Sequence, residues 1–226
     1  MKIIKRVEKI KQIKAQAELF ERFIKDVISI INLEYATSTN KTSVDVNDIL
    51  RDICYVFNHR MQRRSLRLNL NTDFNVPDIF ANPTQLAQVF SSLLENAINF
   101  NNDGGLISIS TFFKNNEVKI VFEDTGIGIN SSELEKIYDK FYRVDKARSV
   151  KSGGLGLGLS IVKKIINLHG FKINVSSKLN EWTRFEIIIP ESAIDKRISL
   201  NSKTNTIPAI RITPNKDYLS AHEALK

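Results

Sequence analysis

The first 35 residues carry an apolar pattern with a helical period and contain neither glycine nor proline. Apolar side chains recur at alternating steps of three and four, a heptad pattern that predicts one long helix. The seam consists of Ile10, Ile13, Ala17, Phe20, Ile24, Val27 and Ile31. Because an isolated helix cannot bury this seam, the pattern favours a coiled coil or bundle. The alternative is an amphipathic helix packed on its own domain.

The segment after this helix is polar and then turns apolar again. Residues 37–43 end the helix, and the pattern at 44–46 predicts a short strand. Asn47 or Asp48 then supplies the side-chain acceptor that caps a second helix, which runs to about Arg64.

A half-buried strand and a capped helix come next. Leu66, Leu68 and Leu70 alternate with polar residues, as in a strand with one buried face. Asn82 and Pro83 supply an N-cap and a first-turn proline for another helix. This helix runs to about Phe100, and its apolar face consists of Leu86, Val89, Phe90, Leu93, Leu94 and Ala97.

Strand patterns dominate the second half of the chain. Two strands are predicted over 106–113 and 117–123, with a tight turn between them, and two more near 171–177 and 183–189. A helix over about 159–168 precedes the last two strands and ends at Gly170, which suits a left-handed cap. Mixed helices and segregated hairpins predict an α+β sandwich, one sheet with helices on one face.

Three regions follow from these patterns. Residues 1–40 hold the long helix, and 41–190 form the main domain. Residues 191–226 lose periodicity and are rich in Ser, Asn, Thr and Lys, so they are expected to be a flexible tail.

Composition narrows the function classes. The net charge of +8 invites a nucleic-acid interpretation, but the basic residues are dispersed and accompany no nucleic-acid motif. The single cysteine, Cys54, permits no internal disulfide and fits a reducing compartment as a small core residue. Runs of about 18 apolar residues are absent, so we expect a cytoplasmic chain without a signal peptide or membrane span.

The strand that ends at Glu123 leads into a candidate nucleotide-binding turn. Asp124 sits at the strand end, where its carboxylate can accept a hydrogen bond from an exocyclic amino group. Gly126 and Gly128 let the backbone approach a ring closely. An ordinary Asp-Thr-Gly turn is the simpler interpretation if this segment is taken alone.

A second glycine-rich segment, 153–159, leads directly into a helix. Successive backbone N–H groups and a helix N-terminus suit phosphate binding. The spacing matches neither the P-loop, which needs Lys and Ser/Thr after the glycines, nor the dinucleotide pattern, because Leu159 takes the last glycine position. A flexible hinge is the alternative.

Cations and a possible metal ligand complete the candidate site. The stretch 136–148 mixes aromatic and basic residues, and Arg143, Lys146 or Arg148 could meet charge on a phosphate chain. Upstream, Asn96 offers an amide oxygen suited to Mg²⁺, and Glu95 could accept from water in the shell of the metal.

Four segments in this order resemble the boxes of the ATP-binding domain of histidine kinases. Residues 93–97 are similar to the N box, 124–129 to the G1 box, 137–145 to the F box and 153–159 to the G2 box. The resemblance covers roughly residues 15–190. It implies a Bergerat-type (GHKL) α/β sandwich preceded by a long dimerisation helix.

The same resemblance implies ATP and Mg²⁺ as cofactors, a homodimer through the first helix and a response regulator downstream. Asn96 would bind Mg²⁺, Asp124 would read adenine with Thr183 close by, and Phe100 would lie near the base. Glu95 and Arg143 are the catalytic candidates. The other binding candidates are Gly126, Gly128 and Tyr142, and a phosphate-side lid of Gly154, Leu155, Gly156, Leu157 and Gly158.

The chain departs from the family pattern at three positions. Ser92 replaces an asparagine one helical turn before Asn96. Asn99 replaces a phosphate-binding lysine and so removes a positive charge, and Leu155 replaces a threonine. These changes bear on catalytic rate more than on nucleotide binding.

The family's phosphoacceptor histidine lies in an H box on a helix expected upstream, and this sequence contains no H box. His59 is expected to be a surface residue and His169 a structural helix-end residue, while His222 falls in the tail. The predicted function is therefore transfer of the ATP γ-phosphate to a histidine outside this sequence.

Two other functions remain open. Related ATPases use a carboxylate to activate water, but Ser92 stands where that glutamate is expected. A catalytically impaired module that binds ATP and regulates a sensor kinase through its first helix would explain Ser92, Asn99 and the missing H box.

Overall fold

The computed structural model describes residues 2–35, 40–144, 155–196 and 211–212. Within these ranges the helices are α1 (Lys2–Tyr35), α2 (Val46–Arg63), α3 (Pro83–Asn99) and α4 (Gly158–His169). The strands are β1 (Thr42–Val44), β2 (Arg67–Asn71), β3 (Ile79–Ala81), β4 (Leu106–Lys114), β5 (Glu117–Asp124), β6 (Lys172–Lys178), β7 (Trp182–Ile189) and β8 (Arg211–Ile212).

The main sheet has the strand order β6-β7-β5-β4-β2-β8, and β1 pairs with β3 in a separate ribbon. Neighbouring strands are antiparallel except for β2 and β4, which run parallel. Along β7, Thr183, Phe185, Ile187 and Ile189 are buried and alternate with more exposed side chains. One face of the sheet therefore points into the core, as the predicted α+β sandwich requires.

Helix α3 lies at the centre of the helical layer and packs against α2, α4 and β5. Phe90 on α3 meets Phe122 on β5, with ring centroids 5.8 Å apart. Fully burying a large apolar side chain contributes roughly 1.5–3 kcal/mol. The buried apolar face therefore holds α3 in the domain, and the side chains on the opposite side of the helix are not needed for core packing. The predicted apolar face of Leu86, Val89, Phe90, Leu93, Leu94 and Ala97 is buried throughout.

Helix ends and turns follow local chemistry at several predicted positions. The Asn82 side chain accepts from the Gln85 N–H at 3.0 Å, and Pro83 opens α3. Gly170 adopts φ 75° after α4, in the left-handed region that glycine favours. These predictions are confirmed.

The start of α2 differs from the prediction. Asp45, not Asn47 or Asp48, is the N-cap, and its carboxylate accepts from the Asn47 N–H at 2.8 Å. The strand before it covers Thr42–Val44 and not 44–46, because those residues pair with β3. The three-residue β3 is too short to produce a strand pattern, so the pairing that fixes this boundary was not predicted.

The apolar seam of α1 is largely exposed. Ile10 and Ile13 are each 65% exposed, and Phe20 is 63% exposed. Near the end of α1, Phe23 and Ile30 pack against the core next to α4, together with one seam residue, Val27. Local packing therefore holds the last turns of the helix and leaves most of the seam uncovered by the described residues.

The prediction placed the start of the flexible tail too early in the chain, at residue 191. Glu191–Ala193 form a 3-10 turn, and Ala193 and Ile194 are buried. The Asp195 N–H donates to the Asp78 carbonyl at 2.8 Å, and β8 pairs with β2. Residues 191–196 are therefore ordered parts of the main domain, joined to it by contacts remote in sequence. The rest of the predicted tail, 197–210 and 213–226, lies outside the described residues.

The single cysteine, Cys54, lies on α2. Cys54 is buried, and burial raises the pKa of its thiol to about 12, so it is a core residue and not a thiolate nucleophile. Among the described residues, none of the helices has both the length and the apolar character needed to span a bilayer.

Candidate functional site

Asp124 ends β5 as a buried carboxyl group, only 7% exposed. Burial raises its pKa to about 7; the Gly126 N–H, which donates to Oδ1 at 2.9 Å, lowers it, and the neighbouring Glu123 raises it. Burial is the largest of these effects. The carboxyl therefore titrates near neutrality, and a ligand that donates a hydrogen bond to it would favour the ionised form.

Thr183 lies directly across from Asp124 on β7, as the resemblance implied. Its hydroxyl is 3.1 Å from the Ser177 hydroxyl. Ser177 Oγ also donates to the Trp182 carbonyl at 2.6 Å and accepts from the Ile129 N–H at 2.8 Å. Ser177 therefore connects β6, β7 and the loop after Asp124. No sequence signal marked it, because a serine in a strand is ordinary.

The loop after Asp124 touches the end of α3. A Cβ on Gly126 would lie 2.3 Å from the Phe100 carbonyl oxygen, a distance that only glycine avoids. The Ile127 N–H donates to that same carbonyl at 3.0 Å. The Phe100 side chain is 42% exposed. The C-terminal end of α3, which follows the predicted N box, is thus adjacent to the predicted G1 box.

Gly128 provides a second close approach. It has φ +63°, and a Cβ there would lie 2.1 Å from the Lys178 carbonyl oxygen. The Asn180 N–H donates to the Ile127 carbonyl at 2.7 Å, which fastens the same loop to the β6–β7 turn. Backbone contacts by themselves therefore require glycine at both positions.

Asn96 and Glu95 lie half-buried on α3. Within the described part of the chain, the Asn96 amide makes no side-chain hydrogen bond, so its oxygen is available to a hard cation. The Glu95 Oε1 accepts from Arg60 Nη1 at 2.9 Å, and Arg60 Nη2 donates to Asn99 Oδ1 at 3.0 Å. Sequence reasoning missed Arg60, which comes from α2 and matches none of the four boxes.

The predicted F and G2 segments meet at Gly156. This residue has φ +74°, and a Cβ there would lie 2.5 Å from the Tyr142 carbonyl oxygen. The Phe141 N–H donates to the Gly156 carbonyl at 3.0 Å. Tyr142 and Arg143 are half-buried beside this contact.

The rest of the predicted lid divides into different environments. Leu157 is fully buried in the core and precedes α4, so its side chain anchors the segment. Leu155 and Gly158 are half-buried, and Gly158 is the first residue of α4. Gly154 lies outside the described residues.

The described residues contain no group of three or more His, Cys, Asp or Glu side chains that could hold a metal ion. Mg²⁺ is usually held by one or two protein ligands together with phosphate and water. Asn96 fits that limited role.

Two of the three histidines, His59 and His169, are in the environments that the sequence predicted. His59 is exposed on α2. His169 is buried, its Nε2 accepts from the Asn82 N–H at 3.0 Å, and its Nδ1 lies 2.9 Å from the Ile165 carbonyl. Both ring nitrogens are therefore engaged in holding helix ends. His222 lies outside the described residues.

Comparisons with known proteins identify relatives of this chain. The chain is 36% identical over 177 residues to the signal transduction histidine-protein kinase ArlS of Staphylococcus aureus, covering 76% of this chain and 38% of ArlS. The chain thus spans well under half of that relative.

Solved structures show the same fold. The nucleotide-free catalytic domain of histidine kinase ThkA is 27% identical, with a TM-score of 0.59 and coverage of 67% of this chain and 96% of that one. ThkA in complex with the response regulator protein TrrA is 24% identical, with a TM-score of 0.64 and coverage of 77% and 49%. The sequence profile of one family matches residues 81–193, half of the chain. The chain belongs to the histidine kinase-, DNA gyrase B- and HSP90-like ATPase family.

Proposed function

We propose that this chain binds Mg-ATP and transfers its γ-phosphate to a histidine, as the catalytic unit of a histidine kinase. The observation that carries the proposal is the buried Asp124 carboxyl, at the point where the end of α3, the Gly126 loop and β7 meet. A buried carboxyl that titrates near neutrality in a junction of this kind suits a specific hydrogen-bond donor such as the adenine amino group.

Adenine recognition would use the residues around Asp124. The carboxylate accepts from the exocyclic amino group, and Thr183 supports it from the neighbouring strand. Gly126 and Gly128 allow the ring to lie against the backbone, and the partly exposed Phe100 ring covers the base. Asp124→Asn would replace one acceptor oxygen by a donor and so oppose the adenine amino group.

The phosphate chain would extend from there along α3 toward the start of α4. Asn96 would hold Mg²⁺, and Glu95 would accept a hydrogen bond from water in the shell of the ion. When bound, Mg²⁺ neutralises charge that develops on the phosphates. Tyr142, Arg143 and the part of the predicted lid at 155–158 would lie over the phosphates, and backbone N–H groups at the start of α4 would donate to them.

The phosphoryl acceptor would be a histidine other than the three in this sequence. A neutral imidazole offers a lone pair near pH 7, so the domain needs to position the reactants more than it needs a base. Both nitrogens of His169 already make hydrogen bonds inside the domain. The acceptor would therefore come from another chain or from sequence beyond these residues.

Two protein partners follow from this proposal. A response regulator would take the phosphoryl group onward; ThkA, which shares this fold, has been solved in complex with the response regulator protein TrrA. A second copy of the chain would cover the exposed seam of α1.

A second candidate function is an ATP-binding module that regulates a sensor kinase without catalysis. It is favoured by Ser92 and Asn99, which depart from the family pattern, and by the exposed seam of α1. Both candidates require nucleotide binding, and only the first requires phosphoryl transfer.

Calorimetry with the full chain tests the shared step. Mg-ATP is expected to bind, and Asp124→Asn to weaken binding. The control variant is Asp52→Asn, an exposed aspartate on α2. No binding by the wild-type chain at millimolar nucleotide would refute the site.

Radiolabelling separates the two candidates. With γ-labelled ATP, the chain alone is expected to gain no acid-labile label, and a histidine-bearing dimerisation domain from a histidine kinase, added separately, is expected to be labelled. Label on His59, His169 or His222 would contradict the proposed acceptor. Binding without any transfer would favour the regulatory module.

A further inference from the structure

The side of α3 next to Asn96 carries a cation that belongs to another helix. Arg60 lies on α2, and its two terminal nitrogens donate to the side chains of Glu95 and Asn99 at 2.9 and 3.0 Å. Its guanidinium also lies over the Phe57 ring, 5.3 Å from the centroid. Three contacts thus hold this charge against the last turns of α3.

Helix geometry relates this charge to Asn96. Each residue turns the helix by about 100°, so Asn99 lies ~60° around the axis from Asn96 and Glu95 lies ~100° away on the same side. The Arg60 guanidinium bridges these two neighbours and therefore flanks Asn96. If Asn96 binds Mg²⁺, the phosphates that share the ion pass close to this flank.

The chemistry of the group suits a phosphate. A guanidinium stays charged, carries five N–H donors and binds oxyanions in a bidentate manner. Two terminal nitrogens are engaged by Glu95 and Asn99, and the side chain is 38% exposed, so donors remain accessible to a further acceptor. Glu95 by itself would repel a phosphate, and its pairing with Arg60 offsets that repulsion.

We propose that Arg60 binds the phosphate chain of ATP and supplies the positive charge that Asn99 lacks. This inference rests on the proposed nucleotide site and assigns it a phosphate-binding residue outside the four family-like segments. The competing explanation is that Arg60 only ties α2 to α3. In that case its loss would affect the fold and would weaken all nucleosides and nucleotides alike.

Calorimetry with two ligands separates these explanations. Arg60→Gln is expected to weaken Mg-ATP about ten- to a hundredfold, the range for losing a hydrogen bond to a charged group, and to leave adenosine affinity unchanged. Arg60→Lys should retain part of the ATP affinity. Asn99→Lys in the Arg60→Gln background should restore it. Arg51→Gln, which removes an arginine paired with Asp48 on the same helix, is the matched control.

The outcomes are distinct. Equal losses for ATP and adenosine, or no loss for ATP, would overturn the role of Arg60, whereas failure of the wild-type chain to bind either ligand would overturn the nucleotide site itself. A measurement on the wild-type chain avoids any folding defect of a variant. The Nε–H resonance of Arg60 in an NMR spectrum, assigned with Arg60→Lys, should shift with Mg-ATP and not with adenosine. An Arg60 resonance that does not shift when Mg-ATP is added would contradict the proposal.

Discussion

The imidazole of His169 joins the end of α4 to the start of α3, because its Nε2 accepts from the backbone N–H of Asn82, 87 positions earlier. Asn82 in turn caps α3 through its side chain. The Nδ1 atom lies 2.9 Å from the Ile165 carbonyl and donates to it in the neutral tautomer. This arrangement holds only while the ring is neutral, since a protonated Nε2 cannot accept.

His169 should therefore make stability depend on pH. Burial lowers its pKa below the usual 6.5, against the Ile165 hydrogen bond that raises it, and Lys41 nearby also lowers it. Below about pH 6.5 the unfolded chain binds the proton and the folded chain does not, so the free energy of unfolding falls as pH drops toward the folded pKa. Melting temperatures at pH 7.5 and 5.5 should differ less in His169→Gln than in wild type. His59→Gln changes an exposed histidine and is the control, so its melting temperatures should differ between the two pH values as much as in wild type. An equally reduced difference in His59→Gln would contradict the assignment of the pH dependence to His169.

Asp124 should have the opposite effect in the nucleotide-free protein. Its folded pKa of about 7 lies above the usual 3.8, so between these values the folded chain holds a proton that the unfolded chain has lost. Stability from this group therefore rises as pH falls from 7 toward 4. At pH 8, Asp124→Asn removes the cost of burying the ionised carboxylate and should stabilise the free protein by up to about 4 kcal/mol, which raises Tm by several degrees. A lower Tm in the variant at pH 8 would show that the ionised carboxylate is well accommodated.

Nucleoside binding should release this proton. Adenine donates to the ionised carboxylate, so the affinity for adenosine, which has no phosphate to titrate, should fall about tenfold per pH unit below 7. Calorimetry from pH 5.5 to 8 measures this slope. Asp124→Asn should bind weakly at every pH and show no slope, and a slope that survives in this variant would assign the titration to another group.

Gly156 and Gly158 offer a matched pair of substitutions in the lid. Gly156→Ala places a Cβ 2.5 Å from the Tyr142 carbonyl at φ +74°, a conformation that costs an L-residue about 1–2 kcal/mol before the contact is counted. Gly158→Ala meets no atom within 4 Å and lies in the first turn of α4. We expect Gly156→Ala to weaken Mg-ATP binding and lower Tm, and Gly158→Ala to preserve Tm. If thermal melts and calorimetry showed equal effects for the two substitutions, the Gly156 contact would have no special role in binding or stability.

The exposed seam of α1 should drive association. Ile24→Asp places a charge in the seam, where burial without a partner costs several kcal/mol, and should give a monomer that still binds ATP. Light scattering at high micromolar concentration measures the mass. Gln16→Asp, on an exposed position outside the seam, should leave the association intact. A monomeric wild-type chain would make α1 a local packing element.

Local signals in the sequence determined most element identities. The periodicity of α1, the Asn82–Pro83 start of α3 and the left-handed Gly170 each act over a few residues, so they can be read without knowing the fold. Asn115 and Asn116 likewise adopt the positive φ values of a tight turn between β4 and β5. The order of the four family-like segments also predicts which residues should share one site, and this stays a prediction.

Tertiary structure decided the features that depend on partners remote in sequence. Asp45 caps α2 because β1 stops at its pairing with β3, and Ile194 is buried because it bridges to Ile79. Arg60 reaches Asn99 across 39 positions, a contact that exists only after two helices have packed. The sequence states which groups are charged or polar, but their pKa values and hydrogen-bond partners depend on what surrounds them after folding, because burial and neighbouring dipoles set the energy of a charge.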